Sequence, residues 1–381
     1  MDSRPVIFVF TTSYHPFVGG AEVAITEVTR RLNQRFDFCI ITARFRRNVQ
    51  RREVRPEGTV FRLGIGNGLD KWLLPVLAVF FVIWKFQKSK RSLAWGMDIG
   101  QGSFAASLLK LFLRSIPFVL TVQYGDGGER VRSGRFGLIG FTFRWMLRRA
   151  SKVTVISRYL SDLVRLYGYR RPIAVVYNGV DFQKFKMQSS KFQIAHQKQK
   201  VVITVSRLVR KNGVDVLIRA VSEVKREIPD IQCHIIGDGP DRRALERLAW
   251  DLGLQQNVTF AGRVLPEQVP YHLARADVFV RASRSEGMGN AFIEALAAGL
   301  PIIGTPVEGI RDIIEDGVTG LFARVDNVGD LAEKMMRLLQ DKSLAARIVE
   351  NGRRMVRERF DWDRIAEQYR DIFESVLETQ P

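Results

Sequence analysis

The chain has 381 residues, more than one hydrophobic core usually supports, and 46% of them are hydrophobic, which is enough for two cores. Its formal charge of +19 indicates an anionic partner such as nucleic acid, anionic lipid or a phosphorylated substrate. The two cysteines, Cys39 and Cys233, lie one in each half, so neither a disulfide framework nor a cysteine-based metal site is expected.

The charge is unevenly distributed along the chain. Residues 1–180 carry 29 Lys and Arg against 11 Asp and Glu, whereas residues 181–381 are almost neutral. A nucleic-acid binder would show this distribution, and so would an enzyme whose first half rests on an anionic membrane. The aromatic residues cluster in apolar runs rather than among basic residues, so a nucleic-acid partner is not expected.

Apolar runs alternate with helical patterns in the first half. Residues 6–10 form the first apolar run, followed by a loop of turn formers (TTSYHPFVGG) and a helical pattern over residues 21–32. Further strand candidates lie at residues 38–42, 118–122, 153–156 and 174–177. This alternation predicts a parallel sheet with helices on both faces. The N-terminus lacks the pattern of a secretory signal, so a secreted destination is not expected.

Residues 72–84 (WLLPVLAVFFVIW) are uncharged over 13 positions and are followed by Lys85, Lys88, Lys90 and Arg91. The run is too short to span a bilayer, which takes about 20 apolar residues. Two interpretations stay open: a buried helix, or an interfacial anchor with a tryptophan at each end. Residues 135–152 combine apolar and arginine positions at helical spacing and carry the same two interpretations.

A polar stretch rich in lysine and glutamine follows Asp181 and predicts a linker. The alternation then resumes, with strand candidates at residues 201–205, 232–236, 258–261, 278–280 and 301–304. We therefore expect an α/β fold of two doubly wound, Rossmann-like domains facing a central cleft. Ligands of such sheets bind beyond the carboxyl ends of the strands, so the loops there should carry the chemistry.

The most informative loop is residues 285–301, SEGMGNAFIEALAAGLP. Gly287 and Gly289 allow a ligand to approach the first amides of a helix predicted to begin near Asn290, which suits a phosphate. Glu294 lies one turn into that helix, where a carboxylate can accept bonds from two adjacent hydroxyls of a ribose. Glu286 precedes the helix. A solvated loop residue and a surface helix residue remain the alternative for this pair.

Two other places are candidates for anion binding. Arg207 and Lys211 follow the strand at residues 201–205 and could neutralise a diphosphate, although basic residues at strand ends are common. Gly19 and Gly20 lie between the first strand and the first helix, where small residues admit a ligand to helix-end amides.

Taken together, these segments resemble the retaining, nucleotide-sugar-dependent glycosyltransferases of family four, which have the GT-B fold. The most specific element is the E-x7-E signature of Glu286 and Glu294. Supporting segments cover almost the whole chain and include YHPFVGGAE, VVYNGVDFQKF, SRLVRKNGVDVLI, IIGDGPDRRALERL and FDWDRIAEQYRDIFESVL. The resemblance implies an acceptor-binding domain (1–180), a linker (181–200), a nucleotide-sugar-binding domain (201–360) and a last helix (361–381) that crosses back to the first domain.

The resemblance also implies roles for single residues. The catalytic set would be Glu286 at the donor sugar, with Arg207 and Lys211 on the donor diphosphate. Gly19, Gly20, Gly287 and the amides of Met288, Gly289 and Asn290 would assist at the phosphates. Glu294 would hold the ribose, and the main chain around Val264 would face the base. Attack on the same face as the leaving group would then need charge stabilisation more than a protein nucleophile.

The sequence departs from the family pattern in two places. Many members have a lysine directly before the glycine of their R-L-V-x-x-K-G pattern, whereas Asn212 precedes Gly213 here. After the strand FVLTV, Gln123 stands where many members have a histidine. Either the amide substitutes, or Asp126 or His15 takes the acceptor side.

The expected function is therefore transfer of a sugar from a UDP- or GDP-linked donor to a lipid-linked or membrane-presented glycan. The enzyme would work at the cytoplasmic face, peripherally associated with an anionic membrane surface. The nucleotide sugar would be a co-substrate, with no cofactor required and no protein metal site, although a divalent metal is compatible with this chemistry. The alternatives are a catalytically impaired GT-B relative that serves as a subunit or scaffold, motivated by Gln123, and a basic nucleic-acid binder.

Overall fold

The computed structural model describes residues 4–17, 19–85, 91–125, 137–185 and 199–378. Contacts within the chain divide it into two compact units. Unit 1 comprises Met1–Asn178 together with Trp362–Pro381, and unit 2 comprises Gly179–Asp361. Residues 186–198, which include most of the expected linker, lie outside the described part of the chain.

Unit 1 is built on an eight-stranded sheet with the order β3-β4-β2-β1-β5-β6-β7-β8. All neighbouring strands are parallel except β3 and β4, which form an antiparallel pair. The strands are β1 (Val6–Phe10), β2 (Asp37–Ala43), β3 (Arg52–Arg55), β4 (Gly58–Leu63), β5 (Ser92–Met97), β6 (Phe118–Val122), β7 (Lys152–Val155) and β8 (Ile173–Val175).

Helices of unit 1 cover the sheet in two groups. They are α1 (Gly20–Leu32), α2 (Asp70–Lys85), α3 (Gln101–Phe112), α4 (Leu138–Arg149), α5 (Arg158–Leu166) and the C-terminal α12 (Trp362–Glu378). Helix α1 packs beside α12, while α2 neighbours α3 and α3 neighbours α4. The connection from β1 to β2 through α1 runs in one direction along the sheet, and the connection from β4 to β5 through α2 runs in the other. Because such crossovers are right-handed, α1 and α2 lie on opposite faces of the sheet.

Helix α12 completes the core of unit 1. The rings of Tyr369 and Phe373 lie 5.1 and 5.2 Å from the ring of Trp95 on β5, and all three side chains are buried. The Trp95 indole N–H is satisfied by Thr121 Oγ1 at 2.8 Å. A segment from the far end of the sequence thus supplies part of the first unit's core.

Unit 2 has a six-stranded parallel sheet with the order β11-β10-β9-β12-β13-β14. Its strands are β9 (Val201–Val205), β10 (Gln232–Ile236), β11 (Val258–Gly262), β12 (Val278–Arg281), β13 (Ile302–Gly304) and β14 (Leu321–Phe322). Its helices are α6 (Val214–Val224), α7 (Arg242–Asp251), α8 (Val269–Leu273), α9 (Asn290–Ala298), α10 (Val328–Gln340) and α11 (Lys342–Arg359). The predicted architecture of two doubly wound α/β units is confirmed.

The predicted strands agree with the observed ones to within about two residues, and one boundary needs correction. Arg281 is the last residue of β12 rather than the first residue of the following loop. Four strands were not predicted: β3, β4, β5 and β14. Strand β3 is short and charged, β14 has two residues, and β5 (SLAWGM) has too few branched residues to stand out as a strand.

The run at residues 72–84 lies within α2 and presents two different faces. Leu74, Pro75, Ala78, Val79 and Val82 are buried, so the interpretation as a buried helix holds for one face only. The opposite face is exposed and equally apolar. Among the helices in the described ranges, none is long and apolar enough to cross a bilayer.

Candidate functional site

The candidate site of unit 2 lies where β9, β12 and β13 end. The loops after these strands are joined by backbone hydrogen bonds. Arg284 N donates to Lys211 O at 2.6 Å, and Gly309 N donates to Glu286 O at 3.1 Å. Three segments distant in sequence therefore form one connected surface at the carboxyl end of the sheet, where doubly wound folds bind ligands.

Two glycines make this close approach of the loops possible. A Cβ on Gly213, which has φ +64°, would lie 1.8 Å from Ala282 O. A Cβ on Gly309 would lie 2.0 Å from Gly287 O. Any side chain at either position would push the loops apart, because real Cβ atoms do not come so near a carbonyl oxygen.

Glu286 is held by an ion pair with Arg281, the last residue of β12. The side chains of Arg281 and Glu286 are 11% and 12% exposed, so this ion pair is nearly buried. Arg281 Nη2 also donates to Asn212 Oδ1 at 3.2 Å, and Asn212 Nδ2 donates to Arg207 O at 2.6 Å. Asn212, a departure from the family pattern, thus ties the loop after β9 to the arginine that holds Glu286.

The backbone at Glu286 is fixed from the other side by Glu308. One oxygen of Glu308, Oε2, accepts the Ser285 hydroxyl at 2.8 Å and the Glu286 amide at 2.7 Å. Glu308 belongs to the short 3-10 helix Glu308–Asp312 after β13. The position of Glu286 is therefore defined by residues from both neighbouring strand ends.

Arg284 anchors the middle of the same loop. Its guanidinium donates to both carboxylate oxygens of Asp215, at 3.0 and 2.8 Å, and its Nε donates to Asp326 at 2.7 Å. Burial of Asp215 favours its neutral form, but the hydrogen bonds and charge of Arg284 prevail and hold the pKa of Asp215 below its ordinary value. The loop is thus fixed independently of any ligand.

Helix α9 begins at Asn290, as predicted, directly after Gly289 with φ +90°. Glu294 follows one turn later and is partly buried in a helix that is otherwise almost entirely buried. Among the described residues, its carboxylate has neither a hydrogen bond nor an ion pair. Burial raises the pKa of Glu294 to about 7, against the opposing charges of Lys184 and Arg281.

The two expected cationic residues differ in their surroundings. Arg207 lies two residues after β9 and is exposed, and within the described ranges its guanidinium has no hydrogen bond or ion pair. Lys211 is partly buried in the 3-10 helix Arg210–Asn212. Val264 lies in the loop after β11, which is the edge strand of this sheet.

In unit 1, the glycine loop is braced by Glu22 of α1. Gly19 and Gly20 are both exposed at the start of this helix. The Gly19 amide donates to Glu22 Oε2 at 2.9 Å, and the Ser13 hydroxyl donates to Glu22 Oε1 at 2.6 Å. The loop is therefore held in shape by the first turn of the helix that follows it.

His15 lies in the same loop and is held through its backbone. Arg62 on β4 donates to His15 O at 3.1 and 2.8 Å, and the His15 ring Nε2 lies 3.3 Å from Thr26 Oγ1. Burial, assisted by the charge of Arg55, lowers the pKa of His15. The lowered pKa favours the neutral form of the imidazole.

Gln123 follows β6 and pairs with Asn178. Gln123 Nε2 donates to Asn178 Oδ1 at 3.0 Å, and Asn178 Nδ2 returns a longer bond of 3.4 Å to Gln123 Oε1. Asp126, the other acceptor-side candidate, lies outside the described residues. An amide in this place offers hydrogen bonds but no proton-accepting base.

The structure thus brings Arg207, Lys211, residues 286–290 and Glu294 to neighbouring strand ends of unit 2, and it places Gly19, Gly20, His15 and Gln123 at strand ends of unit 1. Arg281 and Glu308 were not predicted as part of the site. Only the position of Arg281 at a strand end, five residues before Glu286, could have indicated its role. In the described part of the chain, no three His, Cys, Asp or Glu side chains cluster in a way that could hold a metal ion.

Both halves of the chain match models of glycosyltransferase families. Residues 18–184 match the model described as Glycosyltransferase Family 4, and residues 186–355 match the model described as Glycosyl transferases group 1. The chain belongs to the family-four glycosyltransferases.

One relative is the GDP-mannose-dependent alpha-(1-6)-phosphatidylinositol monomannoside mannosyltransferase of Mycolicibacterium smegmatis. It is 32% identical over 236 residues, which cover 58% of this chain and 62% of the relative. The matching region thus spans a little under two thirds of the length of this curated relative.

Solved structures agree over nearly the whole chain. Sucrose-phosphate synthase from Thermosynechococcus elongatus superposes with a TM-score of 0.84 at 19% identity, covering 99% of this chain and all of that one. HepE from Anabaena, solved with UDP and glucose, gives a TM-score of 0.80 at 21% identity over 98% of this chain and all of that one. The fold is GT-B, as the resemblance implied.

Proposed function

We propose that the protein is a retaining glycosyltransferase that moves a sugar from a nucleotide-diphosphate donor to a lipid-linked or membrane-presented glycan. Unit 2 binds the donor and unit 1 binds the acceptor. One observation carries the proposal: the loops and helix at the strand ends of unit 2 carry an exposed guanidinium, Arg207, and a partly buried carboxylate, Glu294, and neither has a hydrogen bond or ion pair among the described residues. The guanidinium suits the diphosphate of a nucleoside diphosphate, and the carboxylate suits its ribose hydroxyls.

The donor is held at successive points along the site. Arg207 and Lys211 neutralise the diphosphate, assisted by Gly287 and the amides from Met288 to Asn290 at the start of α9. Glu294 accepts hydrogen bonds from the ribose hydroxyls, and the main chain near Val264 faces the base. Gly19 and Gly20 of unit 1 also address the phosphates.

Glu286 contacts the donor sugar near its reacting carbon. Arg281 and Glu308 hold it in place, so its position does not depend on the ligand. The bond from the anomeric carbon to the leaving phosphate oxygen breaks while the acceptor oxygen attacks from the same face, and the leaving phosphate takes the acceptor proton. Arg207 and Lys211 stabilise the negative charge that develops on the diphosphate.

The acceptor side is formed by unit 1. The lowered pKa of His15 favours its neutral form and Gln123 is an amide, so both serve as hydrogen-bonding groups for hydroxyls of the acceptor glycan. The excess of basic residues in residues 1–180 suits an acceptor that carries phosphate or lies in an anionic membrane. The name of the mycobacterial relative, which specifies a phosphatidylinositol mannoside, supports a glycolipid acceptor.

The proposed location is the cytoplasmic membrane face, with peripheral attachment. Both nucleotides remain candidates for the donor, because the mycobacterial relative is named for GDP-mannose and HepE was solved with UDP.

Nucleotide binding tests the proposal. We expect UDP or GDP to raise the melting temperature of the purified chain, because a ligand that binds only the folded state adds about 2.7 kcal/mol at a hundredfold excess over its Kd. Arg207→Ala and Glu294→Gln should each reduce this shift. Arg226→Ala is a matched control, because this exposed arginine follows the end of α6, away from the carboxyl ends of the strands. A chain that binds neither nucleotide would contradict the proposal.

A further inference from the structure

Helix α2 exposes a continuous apolar face. Its exposed large residues are Trp72, Leu73, Val76, Leu77, Phe80, Ile83 and Trp84. At 100° per residue they occupy about 140° of the helix circumference, and the buried residues occupy the rest. Trp84 and Phe80 are 81% and 68% exposed. The exposed apolar stripe is not needed for folding, because the opposite face of α2 already packs against the rest of unit 1.

The neighbouring helices also expose apolar side chains. Helix α3 neighbours α2 and ends with exposed Leu111 and Phe112, and α4 neighbours α3 and exposes Leu138 and Phe141. Phe112 and Phe141 are each 65% exposed. We call the exposed residues of these three helices the apolar face of unit 1. Exposed apolar side chains grouped on a helix face, as on α2, are typical of an interaction site.

The charged residues along this part of the sequence are mostly basic. Between Lys71 and Gly125 the sequence contains a single acidic residue, Asp98. Lys71 and Lys85 lie at the two ends of α2, and Arg144 and Arg148 continue the exposed stripe of α4 beyond Phe141. The Lys71 ammonium lies 5.6 Å from the ring of Trp72. Basic residues therefore border the apolar side chains.

This combination favours an anionic lipid surface over a second copy of the chain. Two copies meeting through this face would bring their basic borders together, which is unfavourable, whereas anionic headgroups complement them. Tryptophans at both ends of a short apolar helix are typical of helices lying in the membrane interface. The helix spans only about 24 Å, less than the hydrocarbon core of a bilayer, so it lies along the surface.

We propose that the apolar face of unit 1 inserts into the interface of an anionic bilayer, with α2 parallel to the membrane plane and the tips of α3 and α4 beside it. The inference rests on the proposed function for its purpose, which is to hold the acceptor-binding unit against the membrane that carries the acceptor. It specifies which residues enter the lipid and which contact the headgroups.

Vesicle binding by the full chain tests this surface. We expect the protein to sediment with vesicles of phosphatidylserine and phosphatidylcholine and much less with phosphatidylcholine alone. The double variant Phe80→Ser/Trp84→Ser should lower the partition coefficient by roughly tenfold or more, because two large side chains no longer leave water. The matched control is Trp250→Ser, which removes a tryptophan 69% exposed in unit 2 and should bind vesicles like the wild type.

Fluorescence quenching tests whether Trp84 enters the lipid. Brominated lipids in anionic vesicles should quench the fluorescence of Trp84, and this quenching should decrease in Trp84→Phe while vesicle binding persists. The double variant should keep the nucleotide-dependent melting shift, so failure of this inference is distinguishable from failure of the proposed function. Unchanged vesicle binding by the folded double variant would overturn the proposal. The proposal would also be overturned if the wild type formed a dimer in solution and the double variant did not, because a second copy of the chain would then cover the apolar face.

Discussion

Arg281 connects Glu286 to the rest of the site. It pairs with the Glu286 carboxylate, donates to Asn212, and carries one of the positive charges that act on Glu294. Both members of the ion pair are nearly buried, so loss of one leaves an uncompensated charge. Arg281 is therefore a positioning residue for the glutamate proposed to meet the donor sugar.

Replacement of Arg281 tests this role. In Arg281→Met we expect the free energy of unfolding to fall by about 3 kcal/mol and kcat to fall at least about tenfold, because Glu286 loses its partner. Nucleotide affinity should fall less than kcat, since Arg207 and Glu294 remain. Arg281→Lys, which keeps the charge, should recover part of both losses. Wild-type kcat in a folded Arg281→Met protein would show that the ion pair does not position Glu286.

Glu294 should make stability depend on pH. Its pKa is raised from 4.5 to about 7 in the folded chain, so the unfolded chain releases this proton at lower pH than the folded one. The free energy of unfolding should therefore fall as pH rises from 4.5 to about 7, by about 3 kcal/mol, and level off above.

The matched variant for this dependence is Glu294→Gln. It should lose the decrease between these pH values, as measured by urea unfolding across the range. Parallel pH profiles for the variant and the wild type would mean that Glu294 ionises normally in the folded protein.

Some of these residues were predictable from sequence and others were not. The helix start at Asn290 follows from local turn and helix rules, and the structure has the helix where predicted. The ion pair of Arg281 with Glu286 depends on how the loop turns back toward the strand, and the contact of Glu308 with Glu286 crosses 22 residues. No periodicity reports such contacts.

The loops at the ends of β9 and β12 form a connected element, and Gly213 is the point where they touch. Gly213→Ala should lower the free energy of unfolding by about 3 kcal/mol or more, because the new Cβ meets Ala282 O and the backbone is left-handed. Because the loop after β9 carries Arg207 and Lys211, the nucleotide-dependent melting shift should also decrease.

Gly253 provides the control for this substitution. It has nearly the same φ, +66°, but a Cβ added there would meet none of the described atoms within 4 Å. Gly253→Ala should therefore cost only about 1 kcal/mol and leave nucleotide binding intact. If urea unfolding showed that both variants lose the same free energy of unfolding, the loss would come from the backbone conformation rather than from the contact between the loops.

At the level of elements, most buried parallel strands were predicted because they are continuous runs of branched apolar residues, and β5 (SLAWGM) was missed because it is not. The pair β3 and β4 was not predicted, because β3 (REVR) is a charged edge strand and β4 (GTVFRL) is short and only partly buried. For α2 the sequence left two interpretations open, since every residue from 72 to 84 is uncharged and periodicity could not tell the buried face from the exposed one. Only the packing of one face against the rest of unit 1 distinguishes the two faces.

Across the whole molecule, unit 1 is discontinuous in sequence, because α12 belongs to its core. Phe373→Ala should destabilise unit 1 by about 3–5 kcal/mol, since this fully buried ring packs on Trp95 and Tyr369. Hydrogen exchange should show faster exchange in peptides of residues 4–178, although the substitution lies near the C-terminus.

Phe292→Ala is the corresponding variant in unit 2, where the buried Phe292 ring packs on Phe279 at 5.3 Å. Its faster exchange should be confined to residues 179–361. If Phe373→Ala affected the exchange of unit 2 more than that of unit 1, the assignment of α12 to the core of unit 1 would be wrong.

Sugar transfer by the full chain is the decisive assay. With UDP- or GDP-sugars and a membrane lipid extract, we expect release of the nucleoside diphosphate and appearance of the sugar in the lipid fraction, with the donor's anomeric configuration retained. Glu286→Gln should lower the rate by roughly a hundredfold or more while still showing the nucleotide-dependent melting shift. A chain that consumes no nucleotide sugar, or a Glu286→Gln variant that transfers at the wild-type rate, would contradict the proposed function and the role of Glu286.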